Sequence, residues 1–234
     1  MNWFEDLGFD DNPFSPSLEA SARAAVGLDK PIRDVEYFIS AGSLIFVEGA
    51  RGTGKSVFLK KLSDRLGRRA VTVDGEAGAV GIRKAVRQKT SILARVFGDG
   101  PKNVVLLVDN ANGLSKDAME LIKYNFDNNH FSAVVLAGTS LKHAGLSASI
   151  LDRIGTRIIT LPAITEEEAV LIARNRLGFS DIITDDTLRK LYKKSDKNPK
   201  AFLHMCEAAC ASAVAAKATT GTEQRKKKLV TTND

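Results

Sequence analysis

Residues 49–56 read Gly49-Ala50-Arg51-Gly52-Thr53-Gly54-Lys55-Ser56, the spacing G-x-x-x-x-G-K-[ST] of a phosphate-binding loop. Gly49 and Gly54 allow the tight turn that aims successive N–H groups at phosphate oxygens. Gly52 lets the loop come close to its ligand. Lys55 carries a point charge to the terminal phosphates. Ser56 offers a hydroxyl to Mg²⁺, and the helix starting here adds its positive end. The expected ligand is therefore ATP with Mg²⁺. The residues expected to touch it are Gly49, Gly52, Thr53, Gly54, Lys55, Ser56 and Val57. A chance match to this pattern is expected in roughly 1% of chains of this length, and the flanks make it rarer. Ser43-Leu44-Ile45-Phe46-Val47 before the loop reads as a buried strand, and Val57-Phe58-Leu59-Lys60-Lys61-Leu62 after it as an amphipathic helix.

Outward from the loop, short apolar runs alternate with amphipathic stretches. Candidate strands are 44–47, 70–73, 104–108, 133–137 and 157–161; candidate helices lie near 55–66, 80–97, 115–126 and 146–154. Near-continuous apolar strands alternating with helices predict an α/β fold: a three-layer P-loop NTPase with a five-stranded parallel sheet covered on both faces. Past Pro162 the pattern is helical only. Thr165-Glu166-Glu167-Glu168 reads as a capping box, with a helix to Leu177 ended by Gly178. Further helices are expected from Thr184 to about Lys194 and from Pro199 to Lys217. The expected organisation is an irregular leader over 1–30 packed on the core through Phe4, Phe9 and Phe14. The nucleotide core follows over 31–162, a small all-α lid over 163–218, and a basic, disordered tail over 219–234.

A P-loop enzyme also needs a carboxylate at a neighbouring strand end to hold Mg²⁺ through water. Val104-Val105-Leu106-Leu107-Val108-Asp109 supplies Asp109. The bland alternative is a strand-ending Asp in the turn Asp109-Asn110-Ala111-Asn112-Gly113; the spacing from the loop favours the metal role. The next residue, Asn110, can orient a water but cannot take its proton, so slow turnover is expected. Asp74 or Glu76, at the second strand's end, are the nearby acids that would substitute.

The chain has 234 residues and a net charge of +6, enough for one core and a small lid. No apolar run approaches the length of a membrane span, and the N-terminus lacks the basic-then-apolar pattern of a signal peptide, so a cytoplasmic protein is expected. The two cysteines, Cys206 and Cys210, lie four apart on a helical pattern and read as small core residues, not metal ligands. On a helical wheel, Arg83, Lys84, Arg87 and Arg95 share one face, opposite Ile82, Val86, Ile92 and Leu93. That stripe could track nucleic-acid phosphates, with Arg225-Lys226-Lys227-Lys228 adding attraction. A solvated helix face explains it equally well.

Five features together resemble the AAA+ branch that holds the origin-recognition/initiator ATPases and the TnsC/ExeA-type ATPases. They are Asn12-Pro13-Phe14, the phosphate loop, the Asp109 strand, Val134-Val135-Leu136-Ala137-Gly138-Thr139-Ser140, and Asn198-Pro199-Lys200. The resemblance covers roughly residues 10–215. It implies an ATPase whose catalytic set is Lys55, Asp109, Asn110, Thr139 and Arg153. Thr139 or Ser140 would be the polar sensor near the γ-phosphate. Arg153, with Arg157 as runner-up, would be the arginine finger offered to a neighbouring subunit. Lys200 sits where the family often places a lid arginine, and a lysine lacks the bidentate geometry. The family's Val-Gly-Arg-Asp/Glu pattern is Val26-Gly27-Leu28-Asp29 here, without the Arg, and no winged-helix domain is expected after the lid.

The resemblance implies ATP-dependent homo-oligomers, assembled on DNA, that recruit or regulate a protein partner in replication, transposition or segregation. The alternative is an ExeA-like switch that controls a protein partner without DNA. A small-molecule kinase fits less well, because no basic acceptor-binding lid motif is present.

Overall fold

The computed structural model describes residues 2–89, 103–178 and 180–230, and side chains over 2–87, 103–178 and 180–216. The chain divides into two compact units, one of Gly27–Ala163 and one of Met1–Val26 with Ile164–Asp234.

The first unit is built on five parallel strands: β1 (Leu44–Glu48), β2 (Ala70–Asp74), β3 (Val105–Asp109), β4 (Ala133–Gly138) and β5 (Ile158–Thr160), in the order β2-β3-β4-β1-β5. All five expected strands form, with no end moved by more than one residue. The three inner strands bury both faces, as their unbroken Val, Leu, Ile and Ala runs require. The edge strands β2 and β5 alternate: Val71 and Val73 turn inward while Thr72 and Asp74 face water.

Helices cover both faces. Helix α2 (Asp29–Ser40) packs on β1, β4 and β5, and α3 (Lys55–Leu66) on β2, β3 and β4. The opposite face carries α4 (Gly78–Lys89), α5 (Lys116–Asp127) and α6 (Ala148–Ile154). There Ile82, Met119, Ile122, Ile150 and Ile154 close over Phe46, Leu106, Val108 and Leu136. Each such large apolar side chain contributes about 1.5–3 kcal/mol on full burial. Helix α2 was not among the sequence expectations, because Pro31 obscured it. Proline is tolerated in a helix's first turn, where its missing N–H has no partner to lose.

The strand order places a switch of direction at β1. From β1 the chain crosses to β2 on one side, and β4 later crosses to β5 on the other. Open parallel sheets form their ligand crevices at the carboxyl ends of strands flanking such a switch, and the 49–56 loop leaves β1 there.

The second unit is helical: α1 (Leu18–Ala24), α7 (Glu166–Leu177), α8 (Asp185–Lys194) and α9 (Pro199–Val230). The capping box forms as read: Glu168 N–H donates to Thr165 Oγ1 at 3.1 Å, and Thr165 N–H to Glu168 Oε2 at 2.8 Å. Phe14 is buried here, with Ala173, Leu177, Tyr192, Phe202 and Cys206. The leader is thus part of the helical unit, where the sequence reading had set it on the nucleotide core. Hydrogen bonding explains this placement. Arg176 Nη1 donates to the Pro13 and Ser15 carbonyls at 2.9 and 3.0 Å, its Nη2 to Ser21 Oγ at 2.7 Å, and Asn12 Nδ2 to Glu207 Oε1 at 2.6 Å. Helix α9 continues to Val230, past the end expected at Lys217; residues 231–234 of the expected tail lie outside the described residues. Its added residues include Glu223, Gln224, Arg225 and three lysines, all good helix formers, with the cations at the end that the helix dipole favours.

Candidate functional site

The loop after β1 is held by its own backbone. Gly52 and Gly54 sit at φ 85° and 99°, a region costly for any residue with a Cβ. A Cβ on Gly49 would come within 2.7 Å of Thr53 Oγ1, so glycine is needed there for close approach. Thr53 donates its hydroxyl to the Ala50 carbonyl at 2.8 Å, and Phe58 N–H donates to the Gly54 carbonyl at 2.8 Å as α3 begins. Lys55 Nζ donates to the carbonyls of Gly49 at 2.7 Å and Ala50 at 2.9 Å, which curls the ammonium into the loop. Burial lowers its pKa, and the Asp109 carboxylate acts in the opposite direction. Ser56 is exposed and Val57 half-buried in the first turn of α3.

Asp109 ends β3, two strands from β1, and both pair with β4. At the usual strand spacing that sets Asp109 about 10 Å across the sheet from the loop's root. The Ser56 hydroxyl and the Asp109 carboxylate are hard oxygen donors, the type that suits Mg²⁺ that keeps several waters. Asn110 follows at φ 52°, a left-handed conformation that Asn tolerates better than Glu. Its Nδ2 lies 3.4 Å from each oxygen of Asp74, the register partner of Asp109.

Two residues missed by the sequence reading organise the strand ends. Asn112 Oδ1 accepts the Thr139 N–H at 2.8 Å, and its Nδ2 donates to the His143 carbonyl at 3.2 Å. The turn after β3 is thereby tied to the segment after β4 that holds Thr139 and Ser140. Glu48, the last residue of β1, accepts from Leu141 N–H at 3.3 Å and from the Thr160 hydroxyl at 3.0 Å. It joins the ends of β4 and β5 to the loop's root. Both lay in the sequence as ordinary strand-end polar residues; no spacing rule marks them.

Arg153, on α6, is engaged within the chain. Its Nε and Nη2 donate to the two oxygens of Asp127 at 2.9 and 2.7 Å, and its Nη1 to the Ser149 carbonyl at 2.7 Å. Arg157 Nη1 reaches the Arg153 and Ile154 carbonyls at 3.3 and 3.4 Å, capping α6. Lys200 lies in the helical unit, exposed in the first turn of α9. On α4, Arg83, Lys84 and Arg87 are exposed and Ile82 is buried, and with Val80 the three cations line a surface hollow of about 440 Å³. Arg95 lies outside the described residues.

Among the described residues no helix is long and apolar enough to cross a membrane, and no group of three or more His, Cys, Asp or Glu could hold a metal.

No protein-family model matches the chain, and no curated protein is significantly similar in sequence. Solved structures are similar in fold. Cdc6p from Pyrobaculum aerophilum superposes with a TM-score of 0.66 at 17% identity, over 91% of this chain and 67% of that one. The ORC1 protein of Aeropyrum pernix in complex with DNA gives 0.66 at 13%, over 86% and 63%. The RuvB Holliday junction branch migration motor of Thermotoga maritima gives 0.55 at 18%, over 76% and 58%. The chain thus spans between 58% and 67% of the length of these proteins.

Proposed function

We propose that this chain, which has the AAA+ P-loop NTPase fold, binds ATP with Mg²⁺ and hydrolyses it slowly to ADP and phosphate. In this reading it assembles with further copies when ATP is bound, on DNA, and recruits or regulates a protein partner in replication, transposition or segregation. The observation that carries the reading is the 49–56 loop. Two left-handed glycines wind it from β1 into the start of α3, with the Lys55 ammonium inside the curl.

The proposed roles build on the loop's geometry. The loop amides and the start of α3 hold the phosphate oxygens. Lys55 exchanges its carbonyl partners for the terminal phosphates. Ser56 and Asp109 hold Mg²⁺, which supplies neutralising charge at the β- and γ-phosphates. Thr139, fixed through Asn112, offers its hydroxyl to the γ-phosphate. Arg153 completes a neighbouring copy's site once it leaves Asp127.

DNA as the platform is supported by the exposed cations Arg83, Lys84 and Arg87, and by the fold shared with an ORC1 protein solved with DNA. The DNA-independent switch rests on Asn110, whose amide suits a slow timer. Light scattering with ATP and Mg²⁺, with and without duplex DNA, separates the two. The reading expects particle growth with ATP that DNA promotes and salt suppresses. ATP-driven growth indifferent to DNA selects the second reading, and no response to ATP contradicts both.

A further inference from the structure

Asn110 occupies the position from which an acid would take a proton from the attacking water, yet an amide cannot do so. The structure sets a carboxylate beside it. Asp74 ends β2 in register with Asp109, and the Asn110 Nδ2 lies 3.4 Å from each of its oxygens. The amide's orientation follows from its neighbour: turned the other way, Asn110 Oδ1 would oppose two acceptor oxygens. Asp74 is itself anchored, since its Oδ1 accepts the Glu76 N–H at 3.0 Å. The two strand-end turns are pressed together by glycine. A Cβ on Gly75 would overlap the Asn110 carbonyl oxygen and lie 3.1 Å from that of Asp109. Of the two acids here, Asp74 meets the Asn110 amide, while the Glu76 chain lies against Gly113.

We propose that Asp74 and Asn110 divide between two strands the work of a single catalytic acid: Asn110 orients the water and Asp74 accepts its proton. The proposal rests on ATP hydrolysis at this site. With Nδ2 spent on Asp74, Asn110 Oδ1 accepts one O–H of the water, and the other O–H faces the Asp74 carboxylate. The water oxygen bonds to the γ-phosphorus, and the bond from that phosphorus to the β–γ bridging oxygen breaks. The electron pair leaves on ADP, and the water's proton passes to Asp74 and then to solvent. Exposure of Asp74 gives that last transfer its path.

The test uses Asp74→Asn in the full chain. Asn caps the following turn as well as Asp does, and Asp74→Ser, an uncharged cap, serves as a second variant. ATP affinity by calorimetry should stay within about twofold, whereas kcat should fall about 100-fold, the usual worth of a positioned base. Asp74→Asn with Asn110→Glu should recover most of the loss. In the nucleotide-free protein, the Asn110 side-chain NH₂ resonances should move in Asp74→Asn and stay in place in Glu76→Gln. Unchanged kcat in both single Asp74 variants overturns the proposal. So does a double variant no faster than Asp74→Asn, or a wild type that binds ATP without turnover. A wild type that binds no ATP contradicts the phosphate-loop reading instead.

Discussion

The Arg153 guanidinium grips both oxygens of Asp127, at 2.9 and 2.7 Å, from α6 to the end of α5. The pair shifts both partners: the hydrogen bond from Arg153 holds the Asp127 carboxyl below its usual range, and Asp127 raises the Arg153 pKa. A depressed carboxylate stays charged through neutral pH, so the grip is lost only as pH falls into the acid range. If Arg153 serves a neighbouring copy, Asp127 competes for it. Asp127→Ala should then lower the protein concentration needed for ATP-dependent assembly, and Arg153→Ala should abolish assembly-linked turnover while sparing ATP affinity. Sedimentation at several protein concentrations, with ATP and Mg²⁺, reads the first; phosphate release and calorimetry read the second. Identical assembly in Asp127→Ala and wild type would remove the competition from the account.

Asn112 makes a second prediction. It joins the Thr139 N–H at 2.8 Å and the His143 carbonyl at 3.2 Å across two strand ends. Asn112→Ala breaks both bonds, each worth about 1 kcal/mol net, and frees the segment that carries Thr139. Turnover should fall more than ATP affinity does, because only the γ-phosphate contact depends on that segment. Steady-state kinetics alongside calorimetry separate the two quantities; equal losses in both would mean that Asn112 shapes the binding loop instead.

Gly75 carries the third. Its Cβ-free backbone lets the Asn110 carbonyl sit where a side chain would be. Gly75→Ala should cost about 1–3 kcal/mol through forced backbone shifts. That corresponds to a melting-point drop of about 2–4 °C per kcal/mol for a chain of this size. Thermal melting by circular dichroism measures it, and an unchanged midpoint would show that the two turns part without strain.

The helical unit supplies a pH prediction. Burial pushes the Cys206 thiol from 9.0 up to about 12 and the Cys210 thiol up to about 11. Thiols raised in the folded state ionise first in the unfolded chain, so stability should fall as pH climbs above about 9. Both should resist alkylation in the native protein and react once it unfolds. Rapid labelling of either at neutral pH would show that α9 opens locally.

The sheet was legible because unbroken apolar runs such as Val105-Leu106-Leu107-Val108 fit only strands buried on both faces. The phosphate loop was legible because its chemistry fixes residue types at fixed spacing. The leader was misplaced for a physical reason. Phe14 announces burial without saying against what, and its destination is set by Arg176, a residue more than 160 positions away. The Asn112–Thr139 pair was invisible for the same reason, and between the two acids read as near Asn110, Asp74 and Glu76, the sequence could not choose. Strand register decides which strand-end side chains meet, and no local pattern encodes the order β2-β3-β4-β1-β5. The extent of α9 was underestimated because its last turns carry few apolar residues, which the sequence reading took as the end of structure.

Isothermal titration of the full chain with ATP and Mg²⁺, beside Lys55→Ala, tests the central claim most directly. Lys55 donates to the Gly49 and Ala50 carbonyls and sits where terminal phosphates would replace them. The account predicts saturable binding by the wild type and at least a tenfold loss, about 1.4 kcal/mol, in a Lys55→Ala variant that melts cooperatively. No binding heat from a folded wild type, or equal affinity in the two proteins, would contradict it.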